Sequence, residues 1–161
     1  MSQQGLGSEF IVELSYELAL EPKHEALQEK EFADDILKGK RILIVEDDLI
    51  NQKVAENILS KWEVNIELAE NGRVALEKVQ KEDFDLILMD LHMPEMDGYE
   101  ATKAIRSLNG NSEKDKTPII ALTADAFTDV RDKILEHQMD DFVSKPFVPD
   151  ELKNKISRTL A

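Results

Sequence analysis

Between Lys40 and Leu160, short apolar runs alternate five times with segments whose apolar residues recur every three or four positions. The runs predict strands at Arg41 to Glu46, Val64 to Ala69, Asp85 to Met89, Pro118 to Leu122 and Asp141 to Val143. The intervening stripes predict one amphipathic helix after each strand. They are Val54, Ile58, Leu59 and Trp62; Val74, Ala75 and Val79; Ala101, Ile105 and Leu108; Phe127, Val130 and Ile134; and Leu152, Ile156 and Leu160. Strand and helix alternating in this way predict an α/β domain, with a parallel sheet covered by helices on both faces.

The runs are not equivalent, and their differences predict the strand order. Ile42-Leu43-Ile44-Val45, Leu86-Ile87-Leu88-Met89 and Ile119-Ile120-Ala121-Leu122 are continuously apolar, as strands buried on both faces must be. Val64-Asn65-Ile66-Glu67-Leu68 alternates and Phe142-Val143 is short, so the second and fifth strands belong at the edges. The doubly wound five-stranded order 2-1-3-4-5 satisfies both conditions. It places the ligand crevice at the carboxyl ends of strands one and three.

The residues at those ends carry the chemistry. Strand one finishes in Glu46-Asp47-Asp48, strand three in Asp90, strand four in Leu122-Thr123-Ala124, and strand five runs into Ser144-Lys145-Pro146-Phe147. Carboxylates gathered on one rim repel unless a cation neutralises them, and an oxygen-only set calls for a hard ion such as Mg2+. Mg2+ favours phosphoryl oxygens. In that setting Thr123 and Lys145 are placed to take oxygens of a transferring phosphoryl group, leaving Asp90 as the nucleophile.

Each residue also has a plainer reading. Asp48 is expected to cap the first helix, leaving Glu46 and Asp47 to face the metal. Thr123 fits as a β-branched strand residue, Lys145 as an exposed lysine, Pro146 as a strand stop, and His92 as a loop residue offering its backbone carbonyl. It is their coincidence on one rim that favours the chemical reading.

Composition narrows the partners. The 161-residue chain carries a net charge of −14, which disfavours nucleic acid and anionic membrane as partners. It has no cysteine, and no apolar run approaches the roughly 20 residues needed to span a bilayer. The first 39 residues hold nine acids against three bases. Within them, Phe10 to Leu18 alternates partly like a strand, and the charge-dense stretch from Glu21 to Lys38 predicts a solvated acidic linker. The glycines of Gly5-Leu6-Gly7-Ser8 lack the lysine that a phosphate loop needs.

The motifs Val45-Glu46-Asp47, Leu88-Met89-Asp90, Met93-Pro94, Met96-Asp97-Gly98, Ala121-Leu122-Thr123-Ala124 and Ser144-Lys145-Pro146-Phe147 resemble those of the phosphoacceptor receiver domains of two-component response regulators. The likeness runs from about Lys40 to Leu160 and implies a flavodoxin-like fold. It implies that Asp90 accepts a phosphoryl group from a histidine kinase or histidine phosphotransfer domain. Mg2+ would be held by Glu46, Asp47, Asp90 and the carbonyl of His92. Thr123 and Phe142 would form a switch that reshapes the face of helix four, strand five and helix five. His92 and Asp125 are expected to tune hydrolysis of the acyl phosphate. The chain would phosphorylate and dephosphorylate only itself, in the cytoplasm, within a parent that can be membrane-anchored.

Asn51-Gln52-Lys53-Val54-Ala55 and Met139-Asp140-Asp141-Phe142 look like receivers attached to hybrid histidine kinases. Residues 1–20 are similar to the closing strand of a kinase ATP-binding domain, which would make 21–39 a linker and 40–161 the receiver. A stand-alone response regulator is the alternative. An aspartate-nucleophile phosphatase needs a second Asp two residues after the first, where His92 stands. A docking module without phosphorylation is the third reading. Glu63 and Gln138 depart from the glycine found at helix ends in many relatives, which predicts a left-handed non-glycine residue or a different cap at each.

Overall fold

The computed structural model describes residues 36–108, 116–124 and 128–161, with 128–131 by backbone alone, together with Ser2–Gln3 and Gly7–Ser8. The expected strand Phe10 to Leu18, nearly all of the expected linker, Phe127 and Asp125 lie outside the described residues. Ser2–Gln3 pairs antiparallel with Gly7–Ser8.

The main sheet contains β1 (Arg41–Val45), β2 (Asn65–Ala69), β3 (Leu86–Asp90), β4 (Ile119–Thr123) and β5 (Asp141–Ser144). All its pairings are parallel, in the spatial order β2-β1-β3-β4-β5. The order read from burial pattern is thus the observed one. Strand limits shift by about a residue, and Asp90 and Thr123 are the last residues of their strands rather than the first of their loops.

Helices α1 (Leu49–Leu59), α2 (Gly72–Lys81), α3 (Gly98–Arg106), α4 (Thr128–Glu136) and α5 (Pro149–Leu160) follow the strands in turn. Side-chain alternation along the strands divides the core into two layers. Ile42, Ile44, Leu86, Leu88, Ile120 and Leu122 pack with Ala55, Ile58 and Leu59 of α1 and Leu152 and Ile156 of α5. Leu43, Val45, Ile87, Met89, Ile119 and Ala121 pack with Ala75 and Val79 of α2, Ala101 and Ile105 of α3 and Ile134 of α4. Successive residues of one strand therefore serve opposite layers, which is why the central runs are apolar without interruption.

One stripe needs correction. Val54 is 44% exposed, and the buried face of α1 is instead Gln52, Ala55, Ile58 and Leu59. Asp48 caps α1 as expected, accepting from the backbone N–H groups of Ile50 and Asn51 at 2.8 and 3.0 Å. Glu63 and Gln138 are left-handed, with φ of 53° and 60°, which is the first of the two outcomes expected at their helix-end positions. Glu95 joins them at 66° in the loop before α3, where no expectation was made. No helix among the described residues is long and apolar enough to cross a membrane.

Candidate functional site: an acidic rim bridged by one lysine

The sheet register creates the site. Val45 is opposite Met89, so Glu46 comes level with Asp90 on the neighbouring strand. Asp90 is opposite Leu122, which sets Thr123 one step beyond it, and the backbone N–H of Lys145 donates to the Thr123 carbonyl at 2.7 Å. The Lys145–Pro146 peptide is cis.

Lys145 turns inward and joins two strand ends. Its Nζ donates to Glu46 Oε2 at 2.6 Å and to Asp90 Oδ2 at 2.7 Å. The exposures of the three side chains are 16%, 2% and 8%, so these charge-assisted bonds lie where water screens them little. Burial pulls the Lys145 ammonium down, but its bonds to Asp90 and Glu46 outweigh this and hold it above the usual lysine range. Burial pushes the Glu46 carboxyl up. Its bonds to Lys145 and Asn51 oppose the shift, the Asp90 charge reinforces it, and the balance stays raised.

Asp47 stands exposed beside this pair, and one carboxylate oxygen from each of Glu46, Asp47 and Asp90 lies within 4.8 Å of the others. Three carboxylates gather where one ammonium bridges two of them. With every ligand atom an oxygen and negative charge left over, the set suits a hard divalent cation. The ring of His92 is exposed and outside the cluster, while its backbone N–H donates to Asp90 Oδ1 at 3.3 Å.

Thr123 is buried at the end of β4. Phe142 is half-buried against the α2–α4 layer, to which Ala121 also belongs, and Ala121 is opposite Phe142 in the sheet. The Lys155 ammonium lies 4.6 Å from the centroid of the Phe142 ring. A cavity of about 260 Å³, lined by Ile134, Leu135, Asp140, Asp141, Phe142 and Lys155, opens beside it.

Two contributors were not assigned roles from the sequence. Asn51 Nδ2 donates to Glu46 Oε1 at 3.0 Å, and Gln52 Nε2 donates to the Glu46 carbonyl at 2.5 Å. The signal was present as two amides in the first turn after the acidic run, one of them on the buried stripe of α1.

A parallel 2-1-3-4-5 sheet with this rim is the architecture of a CheY-like receiver. The chain belongs to the response regulator receiver domain family, whose description matches residues 42–157. It is 45% identical over 107 residues to hybrid signal transduction histidine kinase M of Dictyostelium discoideum, covering 65% of this chain and 4% of that protein. The receiver domain of sensor histidine kinase PA1611 from Pseudomonas aeruginosa, crystallised with magnesium in its active-site cleft, is similar at 37% identity and a TM-score of 0.68. The match covers 76% of this chain and 98% of that one. The Ssk1 receiver of Saccharomyces cerevisiae, solved in complex with the histidine phosphotransfer protein Ypd1, is 32% identical with a TM-score of 0.71. Here the match covers 76% and 90% of the two chains. The chain spans 14% of the length of two plant histidine kinases that it also matches.

Proposed function

We propose that this domain takes a phosphoryl group from a phosphohistidine onto Asp90, as the receiver part of a hybrid sensor histidine kinase. The carrying observation is the Lys145 ammonium bonded at once to Asp90 and Glu46, at the meeting point of β1, β3 and β5. An Asp90 carboxylate oxygen attacks phosphorus, the P–N bond breaks, and the imidazole leaves with the electron pair. The product is an acyl phosphate. Lys145 is within reach of one phosphoryl oxygen and Thr123, ending the adjacent strand, takes another, so that positive charge and a donor meet the developing negative charge.

Glu46, Asp47, Asp90 and the backbone carbonyl of His92 would hold Mg2+. The bound ion supplies neutralising charge for the phosphoryl oxygens and for the acids themselves. The donor would be a histidine phosphotransfer domain or a kinase domain. Leu49, Ile50 and Val54 of α1 are exposed close to the acidic rim, which supports a protein rather than a small molecule as donor. Movement of Thr123 toward the phosphoryl group would let Phe142 turn inward, and the cavity beside that ring supports such a rearrangement of the α4, β5 and α5 face.

Incubation with Mg2+ and acetyl phosphate, or with beryllofluoride, tests the reading by mass spectrometry and NMR. One adduct at Asp90, absent from Asp90→Asn and dependent on Mg2+, is expected. Turnover of phosphate esters without a stable adduct would point to a phosphatase. The absence of both adduct and metal response would leave a docking module.

A further inference from the structure

We infer that Asn51 is a positioning residue for the cation site, acting through the carboxylate of Glu46. The inference rests on the magnesium reading above and extends it to a side chain outside the ligand set.

Glu46 is buried, 1% exposed, next to the like charge of Asp90. A glutamate has three rotatable side-chain bonds, and the Lys145 ammonium, bonded to Glu46 and Asp90 together, holds only one Glu46 oxygen, Oε2, at 2.6 Å. Asn51 fixes the other by donating Nδ2–H to Oε1 at 3.0 Å, which sets the plane in which the carboxylate faces the rim. The anchor is itself fixed, since the Asn51 backbone N–H is held by the Asp48 cap at 3.0 Å. Gln52 secures the other end of Glu46 through its carbonyl at 2.5 Å.

The residue type matters. An amide satisfies the second carboxylate oxygen without adding charge, so the rim keeps the negative excess that a divalent cation requires. A lysine or arginine there would cancel part of that excess. An aliphatic side chain would leave a buried carboxylate oxygen without its donor, a costly state that reorientation of Glu46 would relieve. Partners that orient ligands in this way typically govern metal affinity by about 10- to 100-fold.

The test is Asn51→Ala in the full chain, with alanine chosen because it removes the amide donor and has the highest intrinsic helix propensity. Magnesium binding is measured by calorimetry, the melting temperature is taken in EDTA, and the Mg2+ concentration needed for half-maximal labelling of Asp90 by acetyl phosphate is determined. The expected result is a Mg2+ dissociation constant raised about tenfold. The half-saturating Mg2+ for labelling should move by the same factor, excess Mg2+ should restore labelling, and the EDTA melting temperature should be retained. Should the alanine variant not fold, Asn51→Ser carries the same measurements.

A dissociation constant within about twofold of the unsubstituted chain overturns the inference. So does a loss of labelling that excess Mg2+ does not restore, which would mark a general structural role. An unsubstituted chain that binds no Mg2+ overturns the magnesium reading and this inference together; normal binding there with an unaffected Asn51→Ala overturns this inference alone.

Discussion

The backbone of Gly98 passes so close to Asp90 that a Cβ on the glycine would lie 2.1 Å from the Asp90 carbonyl oxygen. The first residue of α3 thus packs directly against the strand end that carries the Asp90 carboxylate, and its N–H donates to the Leu91 carbonyl at 3.2 Å. Any side chain there must push α3 and β3 apart. Gly98→Ala is expected to destabilise the domain by about 2 kcal/mol, as overpacking does, and to slow labelling of Asp90. Urea denaturation and acetyl phosphate labelling check the two effects, and wild-type stability would show that the loop yields without cost.

Removing the bridging ammonium gives a different signature. Lys145→Ala leaves Glu46 and Asp90 buried side by side without their shared partner, and a loss of about 3 kcal/mol is expected in EDTA. Mg2+ should still bind and should recover part of that stability, because it restores positive charge between the carboxylates. Phosphorylation should no longer move Phe142, read by fluorine NMR of labelled phenylalanine. Unchanged movement would show that Thr123 couples the phosphoryl group to Phe142 without Lys145.

At the opposite end of the sheet, Asp85 accepts from the Arg41 backbone N–H at 2.8 Å and from Lys40 Nζ at 3.0 Å. Burial works to raise its pKa, but these donors win and hold the carboxyl below the usual aspartate range. A carboxyl with a lowered pKa in the fold stabilises above its unfolded-state pKa, and that stability is lost as pH falls through the folded-state value. Asp85→Asn should therefore melt below wild type at pH 7, by on the order of 1 kcal/mol after solvent screening, with the gap closing in acid. Melting curves from pH 7 down to about pH 3 measure this. A gap that stays constant would show that the contribution is not electrostatic.

Gln138 holds a left-handed backbone at the turn after α4, where its carbonyl receives Arg106 Nε at 3.1 Å. Glycine keeps that carbonyl and removes the steric cost of the conformation. Gln138→Gly is expected to stabilise by about 0.5 to 1 kcal/mol, the left-handed strain relieved less the entropy that glycine adds to the unfolded chain. A fall in melting temperature would mean that the Gln138 side chain contributes more than its backbone costs.

These sites show where sequence reasoning reaches. Asp48 was recognisable as a cap because capping is a matter of three adjacent residues. Glu63 and Gln138 were recognisable because glycine was missing where a helix end calls for it. Val54 was misplaced because a helical stripe tells which residues share a face, but not how far around the helix the sheet extends. Glu95 gave no signal, since its left-handed backbone is imposed by the loop that returns from β3 to α3.

Local pattern determined most of the described α/β domain. Alternation along the strands assigns their residues to two layers, and unbroken apolar runs against broken ones order the sheet, because burial on one face or two is written in each strand's own composition. The tertiary structure decided how the rim is wired. Lys145 meets Glu46 across 99 residues of chain, and Asn51 takes the one Glu46 oxygen that Lys145 leaves. Those choices depend on strand register and on competition among buried charges for a few donors, which no single segment of the chain contains.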